Sequence, residues 1–157
     1  MKNSILSVLL LSLLLIACGN DSANNNTSQT VITQPDNIIY ANHPSIIYTG
    51  RIDFREPLAP KLSWPGSHIK ANFTGTSLTI KLDDQLGDNY FNVFIDNDWY
   101  NPHVIDCKKG LHNYFISNNL TSGEHSLMIF KRTEGGEGNT QFKGLILDSD
   151  ALMGATP

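Results

Sequence analysis

Two hydrophobic patterns divide the chain. Residues 5–16 are almost continuously apolar, whereas from Val31 onward apolar and polar positions alternate in short runs. In "SLTIKL", Leu78, Ile80 and Leu82 share one face and Ser77, Thr79 and Lys81 the other, the period of two that marks a half-buried strand. "YFNVFIDNDWY" alternates Phe91, Val93 and Ile95, then meets Asp96-Asn97-Asp98 before Trp99 and Tyr100. That turn chemistry predicts a β-hairpin. Further strands are expected over 46–54, 68–73, 103–107, 112–116, 124–131 and 141–148, punctuated by Gly66, Gly75, Gly87, Gly110, Asn118-Asn119 and Gly123. No stretch of useful length carries amphipathic helical spacing. Eight or nine short strands at this spacing predict an all-β sandwich, and a jelly roll is one way to close it.

The apolar run at the start changes the picture of where the domain works. "MKNSILSVLLLSLLLIACGN" has one lysine, then the apolar run, then small residues before Cys18. It is too short and too lightly flanked for a membrane span and reads as a signal peptide over residues 1–17. Leu15-Ile16-Ala17-Cys18 resembles the bacterial lipobox, which implies that Cys18 becomes the lipidated first residue of the mature protein. A plain secretory signal that happens to carry a cysteine is the alternative. Several acyl chains on one cysteine anchor stably, because each buried methylene contributes about 0.8 kcal/mol. Gly19 after the cysteine favours the outer membrane, so the expected location is the bacterial cell envelope. Residues 18–36 include "GNDSANNNTSQT", with nothing apolar larger than alanine; they read as a flexible tether. Residues 37–150 then suffice for one ordinary domain, with 151–157 as a tail.

Charge and reactive residues narrow the function classes. A net charge of -4, with no basic stripe, argues against nucleic acid. With Cys18 acylated, Cys107 is the one thiol left and reads as buried and structural. The five histidines are scattered singly and read as surface or edge residues. Asp83-Asp84 with Asp88, and Asp96 with Asp98, are loop oxygen clusters of a kind that holds calcium. Such acidic turns are ordinary in soluble sandwiches, and neither a metal nor a cofactor is expected. The chain contains no G-x-S-x-G, Gly-Asp-Ser, Asp-x-x-His or H-E-x-x-H.

"KRTEGGEGNT", residues 131–140, joins two apolar runs. A phosphate cradle would lead into a helix and carry G-K-[ST]; here another strand follows and two glutamates would repel an anion. The reading that remains is a hairpin in which Gly135, Gly136 and Gly138 supply positive φ.

"YTGRIDF", "PKLSWPGSHIKANFTGTSLTIKLDD", "NYFNVFIDNDWY" and "FKRTEGGEGNTQFKGLILD" together resemble the N-terminal domain of carbohydrate esterase family 2. The resemblance runs from about Ile46 to Asp148. It implies a β-sandwich jelly roll that precedes a larger SGNH-type hydrolase domain in deacetylases of acetylated xylan and related plant polysaccharides. The catalytic Ser, oxyanion-hole Gly and Asn, and His of that second domain have no counterpart here, because only "ALMGATP" follows "LILDSD". Acyl transfer needs nucleophile, base and oxyanion donors to converge, so no catalytic residue is assigned. The expectation is a lipid-anchored accessory domain, catalytically silent alone, whose partners are the membrane, an SGNH hydrolase domain and acetylated plant polysaccharide. A stand-alone glycan-binding module is the alternative, with Trp99, Tyr100 and Trp64 as sugar-stacking candidates; for Trp64, packing is the favoured role. If Trp99 and Tyr100 lie in a strand they face opposite ways. In the resemblance, "KRTEGGEGNT" lies beside the junction with the hydrolase domain, which makes Arg132 and Glu134 candidate docking residues.

Overall fold

A computed structural model describes residues 37–148 and 151–157. The expected signal peptide and tether, with Cys18, fall outside the described residues. Eleven strands form among those described: β1 Asn37–Tyr40, β2 Ile47–Thr49, β3 Ile52–Asp53, β4 Lys61–Leu62, β5 His68–Thr74, β6 Leu78–Asp84, β7 Tyr90–Ile95, β8 His103–Asp106, β9 Gly110–Ser117, β10 Glu124–Lys131 and β11 Thr140–Leu147. They make two antiparallel sheets. One runs β3-β4-β11-β6-β9, with β1 on β11; the other runs β2-β5-β10-β7-β8. This is the all-β, jelly-roll-like sandwich that the alternation predicts.

Period two in each long strand aims one row of side chains between the sheets. Leu78, Ile80 and Leu82 meet Ile69, Ala71 and Phe73, Phe91 and Val93, and Leu127 and Ile129, all buried. Burying a large aliphatic or aromatic side chain contributes about 1.5–3 kcal/mol, so this interior carries the fold. In β11 the inward row changes parity, from Phe142 to Leu145 and Leu147. A bulge between Phe142 and Gly144 makes the change, since one extra residue flips every later side chain. Gly144 has φ +124°, and a Cβ there would stand 2.2 Å from the Ile39 carbonyl oxygen of β1. Only glycine lets β1 pair so closely.

Four expectations need correction. The run 46–54 is not one strand: it breaks at Gly50 (φ +102°) and passes from one sheet, as β2, to the other, as β3. The short strands β1 and β4 raise the count above eight or nine; both are too brief for alternation to reveal. The hairpin after β7 is present, but its returning strand is β8, so Trp99 and Tyr100 lie in the connecting turn and both face solvent. Finally, β10 and β11 do not pair, because they belong to different sheets. The segment 131–140 is therefore a crossover and not a hairpin.

Residues 151–157 lie along β5. Thr74 N donates to the Leu152 carbonyl at 2.8 Å, Leu152 N to Thr74 Oγ1 at 2.9 Å, and Gly154 N to the Asn72 carbonyl at 2.8 Å. Ala151 is buried in the core.

Candidate functional site

The crossover is held from beneath by charge. In β10, His125, Leu127, Ile129 and Lys131 share the inward face, so strand period alone drives a lysine into the interior. Lys131 is fully enclosed, a position lysine rarely takes unless paired. Its Nζ donates to Asn89 Oδ1 at 2.6 Å, to the Thr133 carbonyl at 2.8 Å and to Thr133 Oγ1 at 2.9 Å. Those three acceptors match the three ammonium protons. The Asn89 amide donates onward to Asp84 Oδ2 at 2.9 Å and to the Glu137 carbonyl at 2.8 Å. Asp84 also accepts from Thr140 Oγ1 at 2.5 Å and from Gly87 N at 2.7 Å. Burial pulls the Lys131 pKa down, and the charge of Asp84 is the chief opposing influence. Lys131 and Asp84 thus satisfy each other through one amide, and the chain from Thr133 to Thr140 is tied to it at Thr133, Glu137 and Thr140.

Above this base, Arg132 and Glu134 are exposed and line one shallow groove with Asp88, Tyr90 and Glu137. The Arg132 backbone N is fixed on the Tyr90 carbonyl at 2.9 Å. Among the described residues its guanidinium makes one long contact, 3.5 Å to Asn92 Oδ1, which leaves most of its forked donor face open to a further acceptor. Gly135 and Gly136 lie in the 3₁₀ turn Gly135–Glu137, and of the three turn glycines only Gly138, at φ +82°, uses the left-handed region. The positive-φ expectation therefore fails for Gly135 and Gly136, because a 3₁₀ turn needs ordinary φ.

The three aromatic candidates do not converge. Trp64 is 46% exposed and packs beside Gly135, with the Arg51 guanidinium over its ring at 4.6 Å. Trp99, 51% exposed, lies beyond the far end of β7 and leans on Phe94 with ring centroids 5.0 Å apart. Tyr100 is 92% exposed. Both residues of the Trp99-Tyr100 pair face solvent because they sit in a turn.

The remaining candidates serve the fold. Cys107 is buried, and burial pushes its thiol up to about 12, so it is inert at neutral pH. His125 overturns the expectation of surface histidines: it is 3% exposed, with Nδ1 2.7 Å from Asp96 Oδ2 and Nε2 2.7 Å from the Thr121 carbonyl. Both partners are acceptors, an arrangement that only the protonated ring satisfies on both sides. Burial lowers its pKa, but the bonds to Asp96 and Thr121 outweigh that and the net shift is upward. The acidic turns spend their oxygens internally: Asp96 also accepts from Ser126 N at 3.0 Å, and Asp98 from the backbone of Tyr100 and Asn101, each at 3.2 Å. Among the described residues, no histidine nitrogen bonds a serine hydroxyl or the Cys107 thiol. Lys131, Asn89 and Asp84 were missed as a set; the parity of Lys131 with Leu127 and Ile129 was the available signal.

Comparison with known proteins places this geometry. The chain is 32% identical over 114 residues to Cellulase/esterase CelE of Acetivibrio thermocellus, covering 73% of this chain and 14% of that protein. It is 27% identical over 134 residues to an acetylxylan esterase / glucomannan deacetylase of Cellvibrio japonicus, covering 85% and 36%. The chain therefore spans about a third or less of the length of these curated relatives. A family two carbohydrate esterase from Clostridium thermocellum, solved in complex with cellohexaose, superposes with TM-score 0.63 at 32% identity, over 71% of this chain and 33% of that one. A second, from Cellvibrio japonicus, shares the fold with TM-score 0.70 over 78% and 36% at 24% identity. Residues 48–157 match the family model for the carbohydrate esterase 2 N-terminal domain, and the chain belongs to that family.

Proposed function

We propose that this chain is a lipid-anchored accessory domain of a polysaccharide deacetylase, catalytically silent by itself, that docks an SGNH hydrolase domain at the bacterial outer membrane. The observation that carries the reading is the crossover 131–140. A docking loop binds well when its shape is fixed beforehand, since ordering it on contact costs affinity. Here the enclosed Lys131, Asn89 and Asp84 hold the loop while Arg132 presents its guanidinium and Glu134 its carboxylate outward. Arginine in such a position makes bidentate contacts with a facing carboxylate or with carbonyls. The lipobox-like end at Cys18 and the family's two-domain relatives support the remaining parts.

Three measurements test it. Arg132→Ala should leave the melting temperature nearly unchanged yet weaken association with a supplied family two hydrolase domain by about 1–3 kcal/mol; equal binding of both forms by calorimetry defeats the docking role. The purified protein should release no acetate from acetylated xylan above the buffer rate, and turnover abolished by changing one serine or histidine defeats the silence. Metabolic palmitate labelling should vanish in Cys18→Ala, and its persistence removes the anchor.

A further inference from the structure

A second feature lies beyond the opposite end of β7 from the docking loop. Trp99, Phe94 and Met128, the polar Lys70, Asn97 and Ser126, and Pro157 of the segment along β5 border a cleft of about 240 Å³ on the outer face of the β2-β5-β10-β7-β8 sheet. We infer that this cleft binds one pyranose ring of a neutral polysaccharide, stacked on Trp99.

The chemistry begins with the turn. Asp96 and Asn97 both adopt left-handed φ, 53° and 59°. Asp98 N donates to the Ile95 carbonyl at 3.0 Å, and the Asp98 carboxylate holds Tyr100 N, Asn101 N and the Asn101 amide. Asp96 is in turn fastened to His125 and to Ser126 N of β10. The backbone carrying Trp99 is therefore fixed before any ligand arrives. Phe94 braces the indole at an interplanar angle of 53°, and Trp99 remains exposed. An exposed apolar face on a rigid mount suits the C–H face of a pyranose, whose hydroxyls then point sideways to polar groups.

Those polar groups are present. Lys70 makes no ion pair among the described residues. It stands at the cleft with the Asn97 amide and the Ser126 hydroxyl, a donor and acceptor set that fits sugar hydroxyls. The cavity is smaller than the roughly 300–1,000 Å³ of sites for drug-sized ligands, which limits it to one ring of a longer chain. Lys70 is the one charged residue of the lining and the other polar groups, Asn72, Asn97 and Ser126, are neutral, a set that suits hydroxyls better than a run of carboxylates. Trp64 offers no equal platform, because Arg51 covers its ring.

Affinity electrophoresis of the full-length mature protein in gels containing glucomannan, xylan or hydroxyethylcellulose tests the inference. At least one polysaccharide should retard the protein, and Trp99→Ala should weaken that retardation about tenfold, as for the loss of one aromatic stacking contact. Trp99→Phe should keep part of it, and Trp64→Phe should behave as wild type. Melting curves confirm that the surface changes leave the fold intact. No retardation in any of the three gels overturns the inference, as does retardation indifferent to Trp99→Ala. If Trp99→Ala instead weakens only the association with a hydrolase domain, the cleft is a protein interface and the inference fails while the docking reading stands.

Discussion

Strand β10 delivers a basic residue to the interior at each end, and the two ends are built differently. Lys131 and His125 lie on the same face, separated by Leu127 and Ile129. Lys131 is enclosed and reaches its counter-charge, Asp84, through the Asn89 amide. His125 is equally buried but touches its carboxylate directly, and the Asp96 side chain is half exposed. The Lys131 end ties the two sheets and the 131–140 crossover together; the His125 end fastens one turn of one sheet. The difference teaches that a sandwich can seal its core with charge where each proton has an acceptor. It also sets a cation whose pKa burial pulls down beside one whose pKa its two acceptors push up.

The largest expected effect breaks the Lys131 end. Lys131→Met removes the cation and leaves Asp84 buried without it, which should cost about 3–5 kcal/mol in chemical denaturation. Adding Asp84→Asn should recover part of the loss, because the uncompensated charge is then gone. A loss near zero for Lys131→Met would show that the network does not hold the crossover.

The next effect sharpens the contrast by pH. His125→Gln should cost about 1–3 kcal/mol under acidic conditions. The folded-state pKa of His125 is raised, so its contribution is fully present below the unfolded value of about 6.5 and is lost as pH rises through the folded value. The gap in melting temperature between wild type and His125→Gln should therefore be wider at about pH 5.5 than at about pH 8.5. A constant gap would mean that the ring stays neutral.

The smallest effect trims one bond of the Lys131 end. Thr133→Val keeps the shape but removes the hydroxyl shared by Lys131 and Asn89, and should cost about 0.5–1.5 kcal/mol. Association with a hydrolase domain should weaken as well, since the loop beneath Arg132 is loosened. Unchanged association would show that the remaining ties suffice to preorganise it.

Much of this was legible in the residues themselves. Alternation assigns the inward rows of β5, β6, β7 and β10 residue by residue, because side-chain direction in a strand is a local property with period two. The motifs shared with carbohydrate esterase family 2 are equally local, and they led to the same family that the comparisons show. Which sheet a strand joins is not local. Nothing within "KRTEGGEGNT" distinguishes a hairpin from a crossover; that choice depends on Asn89 meeting Lys131 across 42 residues and Asp84 meeting Thr140 across 56. Parity with Leu127 and Ile129 aims Lys131 and His125 inward, but the groups that answer their charges come from distant parts of the chain. Trp99 and Tyr100 read alike, and only the tertiary structure sets one indole against Phe94 above a polar cleft. The sequence by itself determined the faces, the fold class and the family; long-range pairing decided the sheets, the buried charges and the two surfaces, because burial is a property of what the rest of the chain brings alongside.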